Sequence, residues 1–331
     1  MKSRKYGMLQ PVLAAMLVMM LLLIAACGSN GNESGVELVG TPAPSAPTET
    51  AQSSEEPGKT QYPLTVTDDT GVAITLEQAP AAVVSLAPSE TETLFAIGAG
   101  DQVVGVDEFS NYPEEASTKA KVGDMTTNIE AVMALNPDLV IASSSANFAA
   151  VEELRKLNVP VFAVDPLTYD AVVAKIETIG TIMDRQAAAA EVASEMLAVK
   201  AKVVESVKNE TARKVYLEFS EGWTVGSGTF LDELVTLAGG INIAGSQQGW
   251  YEVNEEQVII ENPAFIIYPD WGVNPHPIAV AIESRPGWDV IEAVANGSLH
   301  AVTEDPLVRV GPRLADGLLE LAKIIHPDSF K

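Results

Sequence analysis

The chain has 331 residues, 47% of them hydrophobic, with 20 Lys plus Arg against 45 Asp plus Glu and a formal net charge of −25. That balance disfavours nucleic acid, whose binding rests on neutralising phosphates with basic side chains, and it disfavours broad contact with anionic lipid headgroups. The length suits two domains or lobes, and the apolar content is ample for two cores.

The amino-terminal segment carries Lys2, Arg4 and Lys5, then an apolar run from Met8 to Ala26 that stops at Cys27. A positive start, an apolar middle and small residues before a cut site are the parts of a secretory leader. A run of about 20 apolar residues could also span a bilayer as an ordinary anchor. Cys27 is the only cysteine, so it cannot form an intramolecular disulfide, and it sits where an acceptor thiol belongs. The segment Leu23-Ile24-Ala25-Ala26-Cys27 resembles the bacterial lipobox. The resemblance implies a signal peptide over residues 1–26 and a diacylglyceryl group on Cys27, which would hold the mature protein to the outer face of a membrane. From Gly28 to Thr60 the composition turns to Gly, Ser, Pro, Thr and Glu. Such a stretch cannot bury enough surface to order itself, so residues 27–60 read as the lipidated cysteine and a disordered linker.

Leu64–Thr67 and Val72–Leu76 flank Asp68-Asp69-Thr70-Gly71 and predict a β-hairpin. Strands and helices then alternate. Val83–Leu86 is a strand, and Ser89-Glu90-Thr91-Glu92 has capping-box spacing that opens a helix through Ile97. Val103–Val106, Leu139–Ala142 and Val161–Val164 read as strands, with helices over Ile129–Leu135 and Ala149–Leu157. The stretch Tyr169–Lys208 has no proline and only Gly180 as glycine. It predicts either one long helix, a spine between lobes, or two helices broken at Gly180. Beyond it come strand Val215–Phe219, helices Phe230–Leu237 and Glu255–Ile260, strand Phe265–Tyr268 and a closing helix Pro312–Ile325. The pattern is α/β: an N-terminal lobe over 61–168, a connecting helix over 169–208 and a C-terminal lobe over 209–331, with mostly parallel sheets.

The chain repeats itself weakly. Asn128-Ile129-Glu130-Ala131-Val132, Asn136-Pro137 and Leu139-Val140-Ile141 recur 126 residues later as Asn254-Glu255-Glu256-Gln257-Val258, Asn262-Pro263 and Phe265-Ile266-Ile267. Asn caps a short helix, Glu suits its positive amino terminus, and Asn-Pro ends it before a buried strand. Leu94–Gly100 and Leu234–Gly240 form a second pair at a different offset. Two such units imply two similarly built lobes, and a cleft between lobes is a preferred ligand site. Taken alone, Glu130 and Glu256 need do no more than stabilise their helices.

From Pro80 to Pro327 the chain resembles the substrate-binding proteins of ABC importers for vitamin B12, ferric siderophores and haem. The residues carrying this are Val83 to Glu92, Val104-Gly105-Val106, Asn111-Tyr112-Pro113, Asn136 to Val140, Gly228 to Leu234, Ala238-Gly239-Gly240 and Gly311-Pro312-Arg313. The resemblance implies two α/β lobes joined by one rigid helix, with little opening and closing. It implies that Glu130 and Glu256, one per lobe, dock on arginines of the membrane permease, which works with its ATPase. It places Ser89, Phe109, Tyr112, Met125, Trp223, Trp250 and Arg309 at the ligand cleft, with Met125 where the cobalamin binders carry tryptophan. For the aromatic residues, core packing is the competing reading.

The expected cargo is a bulky metal chelate: a corrinoid first, then a ferric siderophore, then haem. Haem would want an axial His or Tyr. Only His276, His300 and His326 are present. His276, in a proline-flanked loop, could serve, though a surface histidine is the plainer reading. So few histidines argue against a naked transition-metal site. No cofactor is expected beyond the carried ligand. The chain lacks Gly-x-Ser-x-Gly, His-Glu-x-x-His and a lysine-bearing phosphate loop, which argues against an enzyme.

Overall fold

The structure, a computed structural model, describes residues Gly58–Lys331. The leader, Cys27 and the linker as far as residue 57 lie outside the described residues. No helix among the described residues is long and apolar enough to cross a membrane.

The elements, in chain order, are β1 (Leu64–Thr67), β2 (Ala73–Leu76), β3 (Val83–Ser85), α1 (Pro88–Ala96), β4 (Val103–Val106), β5 (Ala120–Lys121), α2 (Ile129–Ala134), β6 (Leu139–Ser143), α3 (Phe148–Lys156), β7 (Val161–Val164), α4 (Tyr169–Ile182) and α5 (Gln186–Val207). They continue with β8 (Arg213–Leu217), β9 (Trp223–Val225), α6 (Phe230–Leu237), β10 (Gly240–Asn242), β11 (Trp250–Glu252), α7 (Glu255–Glu261), β12 (Phe265–Asp270), α8 (Pro277–Ser284), α9 (Glu292–Ala295), β13 (Leu299–Thr303), α10 (Glu304–Val308) and α11 (Leu314–Ile325).

The first lobe holds a five-stranded parallel sheet in the order β5-β4-β3-β6-β7, and the second a four-stranded parallel sheet in the order β10-β8-β12-β13. Apart from β5 the two orders match strand for strand. The sequence repeat is therefore a repeat of topology: β6 and β12 occupy the same place, and α1 and α6 each precede the strand that flanks β3 or β8. Asn136 and Asn262 both take left-handed φ, 46° and 48°, just before the buried strand. Asn tolerates this conformation better than most residues.

The β1–β2 hairpin forms as expected and packs on the free edge of β7. Asp68 anchors it. Its side chain is fully buried and accepts from the backbone N–H groups of Thr70 (2.9 Å), Val72 (3.2 Å) and Ala163 (3.1 Å), and pairs with Arg155. Burial alone would raise its pKa, but the hydrogen bonds from Thr70, Ala163 and Val72, with the Arg155 charge, hold it below the usual aspartate value. A depressed carboxylate stabilises the fold above its unfolded pKa, near 3.9, and that contribution fades as pH falls through the folded value. Asp68→Asn should therefore cost about 1–3 kcal/mol at neutral pH and flatten the acid limb of the stability curve, measured by urea unfolding against pH.

Of the two forms expected for the stretch after β7, the structure has the two-helix one, with the break at a different place. The helices α4 and α5 are separated at Met183, Asp184 and Arg185. Asp184 sits at φ 54°, which no continuous helix allows. Gly180 does not break the helix; it lies inside α4, where a Cβ would stand 2.2 Å from that of Ala189. The glycine is what lets α5 fold back against α4. The 22 residues of α5 span about 33 Å and run from the first lobe to the second. Arg185, at its start, donates to Gly98 O, and Val207, at its end, packs beside Gly239. The chain enters this body at the same α4–α5 turn. Thr60 N–H donates to Asp184 (2.7 Å) and the Tyr62 hydroxyl to Ile182 O (2.7 Å).

A single apolar cluster runs through both lobes. It joins Leu94 and Ile141 of the first to Ile176 and Met196 of α4 and α5, and on to Leu217, Leu231 and Ile325 of the second. The closing helix α11 supplies much of it, with one face of buried leucines and Ile325.

Candidate functional site

The parallel strands place their following loops at their carboxyl ends, where ligands of open α/β sheets bind. Most of the expected site residues are there. Phe109 and Tyr112 lie in the loop after β4. Asp107 builds that loop: its carboxylate accepts from Phe109 N–H (2.8 Å) and the Ser110 hydroxyl (2.5 Å). Lys121 fastens the loop by donating to the carbonyls of Asp107 and Ser110, both at 3.0 Å. Met125 stands in the loop after β5, strongly exposed, and lines a cavity of about 220 Å³ with Ile129, Ala146 and Asn147.

In the second lobe Trp223 and Trp250 sit on a two-stranded antiparallel ribbon of β9 and β11, with Trp250 opposite Val225. Residues 223 and 225 share a face, so both indoles project from one side, diagonally placed. Trp250 also meets Phe219 edge to face at 6.4 Å. The sequence reading missed a third indole. Trp271, just past β12, donates to Glu304 (3.2 Å). Phe109, Tyr112, Trp223, Trp250 and Trp271 are 50, 48, 45, 46 and 44% exposed. Core packing is therefore not the reason for these five rings. Trp288, fully buried against Tyr216, is the fourth tryptophan and does belong to the core.

Ser89 is only 8% exposed. Gly311 of the second lobe packs on its backbone so closely that a Cβ there would be 3.1 Å from Ser89 O. It forms the junction of the lobes rather than an open wall. The capping box read over Ser89–Glu92 does not form, because α1 starts at Pro88 with Ala87 as its cap. Glu92 is instead the centre of a cross-lobe clamp. It accepts from Arg309 Nη1 (2.9 Å) and from Arg313 Nε and Nη2 (2.8 and 2.5 Å). Arg309 also donates to Asn111 Oδ1 (2.9 Å) and Phe109 O (3.4 Å) and pairs with Asp305 (2.9 Å). Arg313 lies 4.1 Å above the Tyr112 ring, and its hydrogen bonds to Glu92 raise its already high pKa. The two arginines thus hold the loop that presents Phe109 and Tyr112. The clamp borders a cavity of about 660 Å³, with Phe95, Lys119 and Pro312 among its other walls. Ser89, Phe109, Met125, Trp223, Trp250 and Arg309 do not line that cavity.

His276 is not the surface histidine anticipated. It is 8% exposed, with its ring 4.8 Å from that of Tyr268 and 4.9 Å from that of Trp271. Neither ring nitrogen has a hydrogen-bond partner among the described residues. The reason is local: His276 caps α8, and that position turns the imidazole between the two aromatic rings.

Glu130 and Glu256 occupy matched places in the first turns of α2 and α7. Asn128 caps the first helix by accepting from Ala131 N–H (3.0 Å), and Asn254 caps the second by accepting from Glu256 and Gln257 N–H (3.0 and 3.2 Å). Both glutamates are exposed. Neither carboxylate has a hydrogen bond or ion pair among the described residues, so each is free for a partner.

A family model described as periplasmic binding protein matches residues 83–306. The chain belongs to that family. Among curated relatives, the ABC transporter substrate-binding lipoprotein YvrC of Bacillus subtilis is 35% identical over 280 residues, covering 82% of this chain and 88% of the relative. A cobalamin-binding protein of Halobacterium salinarum is 32% identical over 294 residues, covering 85% and 79%. Among solved structures, the periplasmic vitamin B12 binding protein BtuF of Vibrio cholerae superposes with a TM-score of 0.67 at 27% identity, over 76% of this chain and 98% of that one. The family agrees with the resemblance read from the motifs, and its two α/β lobes agree with the fold. In this periplasmic binding protein the Glu92 clamp ties the second lobe to the first beside the loop that carries Phe109 and Tyr112.

Proposed function

We propose that the protein is the extracytoplasmic receptor of an ABC importer, lipid-anchored through Cys27. It captures a corrinoid between its lobes and delivers it, without chemical change, to a permease that docks on Glu130 and Glu256. One observation supports the cargo assignment: five large rings, two from the first lobe and three from the second, stand about half exposed rather than packed in the cores. Half-exposed rings on pocket loops suit a wide, flat, largely apolar macrocycle. Two relatives whose names specify cobalamin or vitamin B12 support the same reading. A ferric siderophore or haem is the second reading, and His276, with two unpartnered nitrogens beside Trp271, favours the haem form of it.

The test is an absorbance spectrum of the purified protein followed by titration with cyanocobalamin, haemin and a ferric hydroxamate. Cyanocobalamin should bind most tightly and quench tryptophan fluorescence. Trp250→Ala should weaken it about tenfold, with unchanged circular dichroism, since a stacked ring contributes about 1 kcal/mol or more. A protein that binds haemin but not cyanocobalamin would reverse the ranking. Turnover of the bound chelate would point to an enzyme.

A further inference from the structure

The clamp, which floors the cavity lined by Glu92, Tyr112 and Arg313, has an electrical consequence. Two guanidiniums in a half-buried cleft are ordinarily a trap for carboxylates, which they bind through paired donors. Here those donors are already used. Glu92, 2% exposed at its side chain, takes both arginines, and Asp305 takes each of them again at 2.9 and 3.5 Å. Two carboxylates balance two guanidiniums. The neighbouring lysines are also occupied: Lys119 donates to Gly100 O (2.8 Å), and Lys121 to the loop carbonyls. Meanwhile Glu108, Asp124 and Glu221 on loops and Glu252 on β11 are exposed without a cationic partner among the described residues. The clamp thus offers an incoming carboxylate no unpaired guanidinium, and the surrounding surface presents several unpaired anions, while the ammoniums of Lys119 and Lys121 are held by carbonyls but keep their charge.

We propose that Glu92 is a charge filter: by neutralising Arg309 and Arg313 it makes the receptor select against chelates that carry peripheral carboxylates. The proposal rests on the corrinoid reading, because a corrinoid's periphery of neutral amides is what such a floor would accept. Glu92 acts through the arginines, so it is a positioning and specificity residue rather than a ligand contact.

The experiment compares two matched pairs of probes. One pair is cyanocobalamin and its monocarboxylic acid, in which one side-chain amide is hydrolysed. The other is haemin dimethyl ester and haemin. Affinities are measured by fluorescence quenching at fixed ionic strength for the wild type, Glu92→Gln and Asp305→Asn. The wild type should prefer the neutral member of the pair it binds by roughly tenfold, the scale expected for one charge at intermediate distance. Glu92→Gln should reduce that preference by about the same factor, and Asp305→Asn should shift it in the same direction by less.

A purely structural role would weaken both members equally and leave their ratio fixed, which overturns the proposal. If Glu92→Gln does not fold, the ratio in Asp305→Asn decides, and an unchanged ratio there also overturns it. A wild type that binds the haem pair and not the corrinoids defeats the cargo reading alone, and the filter is then read from haemin against its ester. A wild type that binds neither pair overturns both.

Discussion

Replacing Glu130 and Glu256 together with alanine is expected to reduce importer-dependent uptake to background while leaving chelate affinity unchanged within about twofold. Neither makes an ion pair or hydrogen bond within the described residues, and each sits in the first turn of a helix already capped by asparagine, Asn128 or Asn254. The helix N-terminus suits a negative side chain, so each glutamate sits there at low cost and stays available. An exposed ion pair contributes only about 0–1 kcal/mol. Two at a fixed separation act mainly by setting register and encounter geometry. Uptake in cells expressing the cognate permease, and cyanocobalamin titration of the same variants, are the paired measurements. Single variants should show partial uptake. Normal uptake in the double variant would remove docking from these residues and leave them as helix-terminal charges only.

Glu90→Ala is expected to lower folding stability by about 3–5 kcal/mol, the scale for leaving one member of a buried ion pair alone. Glu90 and Lys175 are 1% and 3% exposed and 2.7 Å apart. Burial pushes the Glu90 pKa up, and Lys175 opposes that shift through its charge and hydrogen bond. Lys175 also donates to Val310 O at 2.7 Å, so the pair ties α1 and α4 to the segment carrying Arg309 and Gly311. Removing the carboxylate leaves a buried ammonium with one carbonyl. Glu90→Leu combined with Lys175→Met should recover most of the loss, because apolar groups of similar size can replace a buried pair at little or no cost. Urea unfolding of the three variants checks this. Equal stability of Glu90→Ala and wild type would mean that water reaches the lysine.

The elements most easily read from sequence were those with a strong local signal. The strands Val161–Val164 and Phe265–Tyr268, the helix Phe230–Leu237 and both asparagine-capped helices appear within a residue or two of expectation. The repeat was legible because the same capping and Asn-Pro chemistry occurs twice. The break at Asp184 was not: no proline or glycine marks it, and only the tertiary fit of Gly180 against Ala189 shows why the chain turns there. The strand β13 was hidden because Leu299-His300-Ala301-Val302-Thr303 is short and its half-exposed edge lacks a clean alternation. At the site, the aromatic positions came through the family resemblance, but Trp271 and the role of Glu92 did not. Glu92 has the local spacing of a capping residue, and its arginine partners are 217 and 221 residues away. Local pattern cannot report a contact of that range.

The core shared by the two lobes also limits what the receptor can tell its permease. A ligand shifts a conformational equilibrium only by its differential affinity for the two states. Separating these lobes widely would expose the apolar faces of α4, α5 and α11 to water, at about 25 cal/mol for each Å² uncovered. Wide opening is thus a costly state, rarely visited with or without cargo. Empty and loaded receptors would present nearly the same outline, with the same spacing between Glu130 and Glu256. Occupancy must then be signalled less by shape than by the cargo surface left uncovered at the mouth of the cleft. The permease would have to sample receptors and reject empty ones by touch, so unloaded receptor would act as a competitor for the docking site.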